Sequence, residues 1–105
     1  MGEDLKPHQE RVILVGVILP GMPSWEAEDS LDELSRLVDT ANLFEVERVL
    51  QSRARIDPAH YLGKGKAAEL KTLAGKHQAD IIVFDNDLSP AQMRNLENTT
   101  NRRIL

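Results

Sequence analysis

The residues best suited to chemistry crowd into "HYLGKGKAAEL", residues 60–70, where two glycines and two lysines enter a helical pattern. Lysine beside glycine at a helix start is the chemistry of anion cradling, because free backbone amides, the positive helix end and an ammonium group converge. The nucleotide version of that device, G-x-x-x-x-G-K-[ST], can be laid on Gly65 and Lys66. It then meets His60 where the first glycine belongs and Ala67 where the magnesium-binding hydroxyl belongs. A Walker A loop is therefore excluded. A dinucleotide fingerprint is excluded as well, since the turn after the first apolar run reads "PGMPS" and not G-x-G-x-x-G.

Charge and stacking remain. Arg53, Arg55, Lys64 and Lys66 against Asp57 give residues 53–66 a net +3 in a chain whose total is −4. Bulk charge speaks against a polyanion binder, so any affinity for nucleic acid must be local. His60 and Tyr61 lie between the cations, and rings beside phosphate contacts are how proteins hold single-stranded or looped RNA. The candidate RNA- or anion-binding set is thus Arg53, Arg55, His60, Tyr61, Gly63, Lys64, Gly65 and Lys66. A plainer reading stands beside it: glycines that form turns, solvated lysines, and Tyr61 as an anchor packing the loop onto a sheet. His60 has no second histidine or carboxylate at ligand spacing, and no metal ligand is assigned.

A second set lies in "FDNDLSPAQMRNLE". Asp85 and Asp87 follow an apolar strand, on the side where open parallel sheets collect ligands, and paired acids there suit magnesium. Capping and turn chemistry also explains "DxxLSP", and no nucleophile or general base with a partner stands nearby, so no catalytic residue is assigned.

The elements that must position these residues follow from period. "RVILVGVIL" is an unbroken apolar run and reads as a strand buried on both faces. Ser24 is the expected N-cap of a first helix from about Trp25 to Ala41, with Leu31, Leu34, Leu37, Val38 and Ala41 at helical spacing. Met22 and Trp25 read as core or staple residues. "LFEVERVLQ" alternates as a strand near a sheet edge, with Phe44, Val46 and Arg48 against Glu45, Glu47 and Val49. A fourteen-residue connection, "SRARIDPAHYLGKG", leads to a second helix at about Lys64 to His77, with Ala67, Leu70, Leu73 and Ala74 inward. "ADIIVFDN" is a second buried strand. A third helix begins with Ser89 as N-cap and Pro90 at the first helical position, with Met93 and Leu96 facing in. "RRIL" opens a fourth strand. The order β-α-β-α-β-α-β predicts a three-layer α/β/α fold with a four-stranded, mostly parallel sheet in the order 2-1-3-4.

At 105 residues and 41% hydrophobic content the chain has material for one core. The expected division is a flexible lead-in over 1–10 and one α/β domain over 11–105. Absence of cysteine excludes a disulfide framework. No apolar stretch is long enough to span a membrane, and a cytoplasmic protein is expected.

Four stretches together, "RVILVGV", "SLDELSRLVDTA", "RIDPAHYLGKGKAAEL" and "ADIIVFDNDLSPAQMRNLE", resemble the N-terminal domain of the HflX family of ribosome-associated GTPases. The resemblance implies a longer protein in which this domain is followed by a helical hairpin and a G domain, the part that would use GTP and Mg²⁺. It implies the large ribosomal subunit and its RNA as partner, in splitting or rescuing ribosomes, and places this chain before the hairpin and G domain. It also marks Ser89, Gln92, Arg94 and Asn95, which match the family's second motif, as candidates for a ligand or for contact with another domain. These 105 residues contain no G-domain motif, so no cofactor and no GTPase site are assigned to them. Three readings stay open: an RNA- and ribosome-binding regulatory module, a small domain binding a purine nucleotide at the second helix's start with Asp85 or Asp87, and a structural spacer whose second motif docks onto the downstream domains.

Overall fold

The computed structural model describes residues 9–105, so the expected lead-in over 1–10 falls almost wholly outside the described residues. Seven elements follow one another: β1 (Arg11–Ile18), α1 (Ser24–Thr40), β2 (Phe44–Ser52), α2 (Lys64–His77), β3 (Ile81–Phe84), α3 (Pro90–Thr100) and β4 (Arg103–Ile104). The four strands form one parallel sheet in the order β2-β1-β3-β4. That is the order expected from the two most apolar runs taking the centre, and Val12 to Val17 are all buried. Leu31 and Val38 of α1 pack with Val12, Leu14, Ile81 and Val83 on one face. Ala67, Leu70 and Ala74 of α2 and Leu96 of α3 cover the other, over Ile13, Val15, Ile82 and Phe84. Right-handed crossovers require this division, because the chain steps one way to reach β2 and the other way to reach β3 and β4.

Several local expectations change. Pro23, with φ −66° and ψ 143°, occupies the N-cap of α1 and gives no side-chain cap, so Ser24 sits one residue too late to cap and is helical. Trp25 is 61% exposed and Leu37 60% exposed, neither in the core. The buried stripe of α1 runs through Ala27, Leu31 and Val38, and Leu37, six residues beyond Leu31, falls about 120° off it. Ala41 is the exposed C-cap, outside the helix.

The alternation in β2 is broken by a bulge, since Val12 pairs with Glu45 but Ile13 with Glu47. The extra residue, Val46, is thereby carried to the side of Val49, and both pack on the cluster beneath α2. On the opposite side Arg48 joins Asp32 of α1 and Glu45, and Ser35 donates to the same Glu45 carboxylate, tying α1 to the edge strand. The exposed surface of α1 is acidic, with Glu26, Glu28, Asp29, Asp32, Glu33 and Asp39 against a single Arg36.

Candidate nucleic-acid interface

Parallel strands bring the carboxyl ends of β1, β2 and β3 to one end of the sheet, and the long connection from β2 to α2 lies there. Asp57 organises it. The Asp57 and Tyr61 backbones exchange hydrogen bonds, Tyr61 N–H to Asp57 O at 2.9 Å and Asp57 N–H to Tyr61 O at 3.1 Å. The Asp57 carboxylate closes the turn between them, with Oδ1 accepting from the amides of Ala59 (2.7 Å) and His60 (2.8 Å). Those two amides, His60 first, hold its carboxyl below the usual aspartate range, with smaller help from the charges of His60 and Arg53. His60 Nδ1 is 3.9 Å from the same carboxylate.

Tyr61 then turns inward with φ 67°, a left-handed conformation that disfavours any side chain. Burial of its ring compensates: Tyr61 is 5% exposed and meets Phe84 edge to face, with centroids 5.6 Å apart. Burial, and next the charge of Asp85, push its phenol above the ordinary value. Tyr61 is therefore the anchor of the loop and not an open platform for a base. Gly63 is buried as well, and its amide donates to Gln51 Oε1 at 3.0 Å. A Cβ there would come within 2.5 Å of Arg53 Nη1, so the glycine lets the Arg53 guanidinium lie against the start of α2. Arg53 Nε donates to Arg55 O at 3.1 Å.

The second motif holds the first. Ser89 and Gln92 form a full capping box at the start of α3: Gln92 N–H donates to Ser89 Oγ at 3.0 Å, and Ser89 N–H to Gln92 Oε1 at 2.9 Å. The other half of the Gln92 amide, Nε2, donates to Asp57 O at 2.9 Å, and Asn95 Nδ2 donates to Ala59 O at 2.9 Å. Two stretches some thirty-five residues apart are thus one object.

The remaining candidates fall into three groups. Arg55, Lys64 and Arg94 are exposed, and their side chains have no hydrogen bond or ion pair among the described residues. Lys66 pairs with Glu69 at 3.2 Å, and Gly65 is exposed in the first turn of α2, a helix with no side-chain cap and no acid in that turn. Asp85 and Asp87 stand apart. Asp85 borders a cleft of about 120 Å³ whose other walls come from β1, the turn after it, α1 and Asn86, while Asp87 is exposed. Among the described residues no three His, Asp or Glu side chains gather where a metal could be held. Ala67, at the place of a Walker hydroxyl, points into the core with 1% exposure. Gln51 and Asp57 are the residues of the candidate site whose structural part was missed from sequence. Asp57-Pro58 carries a turn signal, whereas nothing marks Gln51.

Residues 28–105 match the family model described as "GTP-binding GTPase N-terminal". The chain belongs to this family of HflX N-terminal domains. It is 46% identical over 102 residues to GTPase HflX of Lacrimispora saccharolytica, covering 97% of this chain and 24% of that protein. GTPase HflX of Caldanaerobacter subterraneus is 37% identical over 103 residues (98% and 23%), and that of Escherichia coli 34% over 77 (73% and 18%). The chain spans about a fifth to a quarter of the length of these curated relatives, most of whose sequence lies outside the match. No helix among its described residues is long and apolar enough to cross a membrane.

Proposed function

We propose that this domain is the RNA-facing, regulatory amino-terminal module of an HflX-type GTPase that works on the large ribosomal subunit in the cytoplasm, in splitting or rescue. One observation carries the reading. On and beside a loop whose backbone is tied down at Asp57, Ala59, Tyr61 and Gly63, the cations Arg55, Lys64 and Arg94 are exposed and have no partner among the described residues. A fixed backbone carrying free cations beside an uncapped helix start suits phosphate, whose contacts position a protein on RNA. GTP and magnesium belong, on this reading, to a G domain elsewhere in the protein, and the downstream domains are its intramolecular partners.

A purine nucleotide between the start of α2 and Asp85 is less well supported. The cleft at Asp85 holds about 120 Å³ and α2 forms none of its walls, whereas ligand sites measure roughly 300–1,000 Å³. Binding of the chain to purified large ribosomal subunits, measured from 50 to 200 mM salt, tests the proposal. Three phosphate contacts at about 0.7 counterion each give a log-log slope near −2, a loss of about twentyfold across that range. Arg55→Gln with Lys64→Gln should bring the slope to about −0.7. A flat profile for the unaltered chain would sink the proposal.

A further inference from the structure

We infer that Gln92 is a positioning residue: its side-chain amide sets the place of the basic loop, so the amino end of α3 governs how well the loop's cations meet RNA. The inference deepens the RNA-facing reading and rests on it. Position 92 faces two opposite demands. It must offer an acceptor to the Ser89 amide at 2.9 Å and a donor to the Asp57 carbonyl at 2.9 Å, and one carboxamide meets both. Asp57 is the right residue to hold, because its backbone pairs with Tyr61 and its carboxylate holds the amides of Ala59 and His60. A shift of the Asp57 carbonyl therefore moves the whole turn between Arg55 and Lys64. Gln92 is 8% exposed, so water is poorly placed to replace its N–H. Asn95 repeats the contact one turn along α3, at Ala59 O. Arg94 stands between the two clasping residues, so the same helix end that fixes the loop carries an exposed cation of its own.

Gln92→Glu separates the two roles. A carboxylate still accepts from the Ser89 amide, and Ser-x-x-Glu is itself a capping box, so α3 keeps its start. Toward Asp57 it presents an acceptor to an acceptor, and the clasp opens. Asn95→Asp does the same at Ala59 without touching the cap. Ala91→Glu, at an exposed neighbouring position, adds the same charge with the clasp intact.

Amide exchange by NMR and binding to purified large ribosomal subunits are read on the 105-residue chain. At pH 7 the Asp57 and Tyr61 amides of Gln92→Glu should exchange about tenfold faster, the order expected when one buried hydrogen bond is lost. The Gln92→Ala variant should also speed exchange at Met93, whose amide bonds to Ser89 O at 3.0 Å, and Gln92→Glu should not. Affinity for the subunit should fall about three- to tenfold in Gln92→Glu and Asn95→Asp and stay unchanged in Ala91→Glu. A pH profile supplies the signature that a merely structural role would not move. Burial and the facing carbonyl favour the neutral form of the introduced carboxyl, the Ser89 amide and the start of α3 favour its charged form, and once protonated it donates to Asp57 as the amide did. Loop protection in Gln92→Glu should therefore return as pH falls through the titration of the introduced carboxyl, relative to the unaltered chain, in which Asp57 and His60 face the same turn. Unchanged exchange at Asp57 and Tyr61 overturns the inference. A loosened loop with undiminished binding also overturns it, while leaving the RNA reading in place. An unaltered chain that binds no subunit removes the RNA reading first, and this inference with it.

Discussion

Tyr61 combines a conformation that penalises any side chain with a ring that the core needs, and its variants should fall in an unusual order. At φ 67° a residue with a Cβ costs about 1 kcal/mol relative to glycine. The ring, 5% exposed and edge-on to Phe84, is a large buried aromatic whose removal costs about 3 kcal/mol. Tyr61→Ala keeps the strain and loses the ring, so it should destabilise by about 3 kcal/mol. Tyr61→Gly loses the ring but relieves the strain and should recover roughly 1 kcal/mol of that, reversing the usual advantage of alanine over glycine. Tyr61→Phe keeps the ring and should stay within about 1 kcal/mol of the unaltered chain. Urea midpoints with unchanged slopes measure the series. The hydroxyl adds a sign: burial raises the folded phenol's pKa, so its contribution is complete below the unfolded value near 10 and is lost as pH rises through the folded one. Tyr61→Phe should remove that alkaline limb. A glycine variant less stable than the alanine variant, or a phenylalanine variant as damaged as either, would refute this account of the loop.

The Asp57 carboxyl is held low by the amides of His60 and Ala59, so its contribution is full above the ordinary aspartate range near 3.8 and is lost as pH falls through the depressed folded value. Exchange of the Ala59 amide should accelerate only in that acid window, and Asp57→Asn, which keeps an acceptor for the turn, should flatten the dependence. Leu70→Ala, at a residue with 0% exposure under α2, should cost about 2–5 kcal/mol in urea unfolding. Trp25→Ala and Leu37→Ala, both at exposed positions of α1, should stay within about 0.5 kcal/mol in the same assay.

Strand order was legible because β1 and β3 are apolar without a break and only the centre of a sheet buries a strand on both faces. The α3 start was legible too: Ser89, Pro90 and Gln92 are a local signal, and the capping box is complete. What escaped depends on distance in the chain or on small geometric shifts. The bulge at Val46 inserts one residue and inverts an alternation that composition alone displays as regular. Pro23 takes the N-cap from Ser24 by a single position. Trp25 and Leu37 are apolar by type, and only the phase of the helix turns them outward. At the loop, Tyr61 was readable as an anchor on the sheet, but Gly63 read only as a flexible turn; its burial depends on Gln51 and Arg53, neither of which announces the contact. The clasp was the least legible part, since nothing near Gln92 and Asn95 in the chain says that their amides reach Asp57 and Ala59 until α3 is laid beside the loop.

The acidic coat of α1 lies on the face opposite α2, while Arg55, Lys64 and Arg94, which have no partner among the described residues, lie at the loop, the start of α2 and α3. Charge arranged in this way gives the molecule a permanent dipole across its sheet, even though the net value is only −4. In the field of a polyanion such a body experiences a torque before it makes any contact, and the encounter complexes that lead with α1 are repelled. The six carboxylates would then act on the rate of arrival and on the angle of approach, with little weight in the lifetime of the bound state.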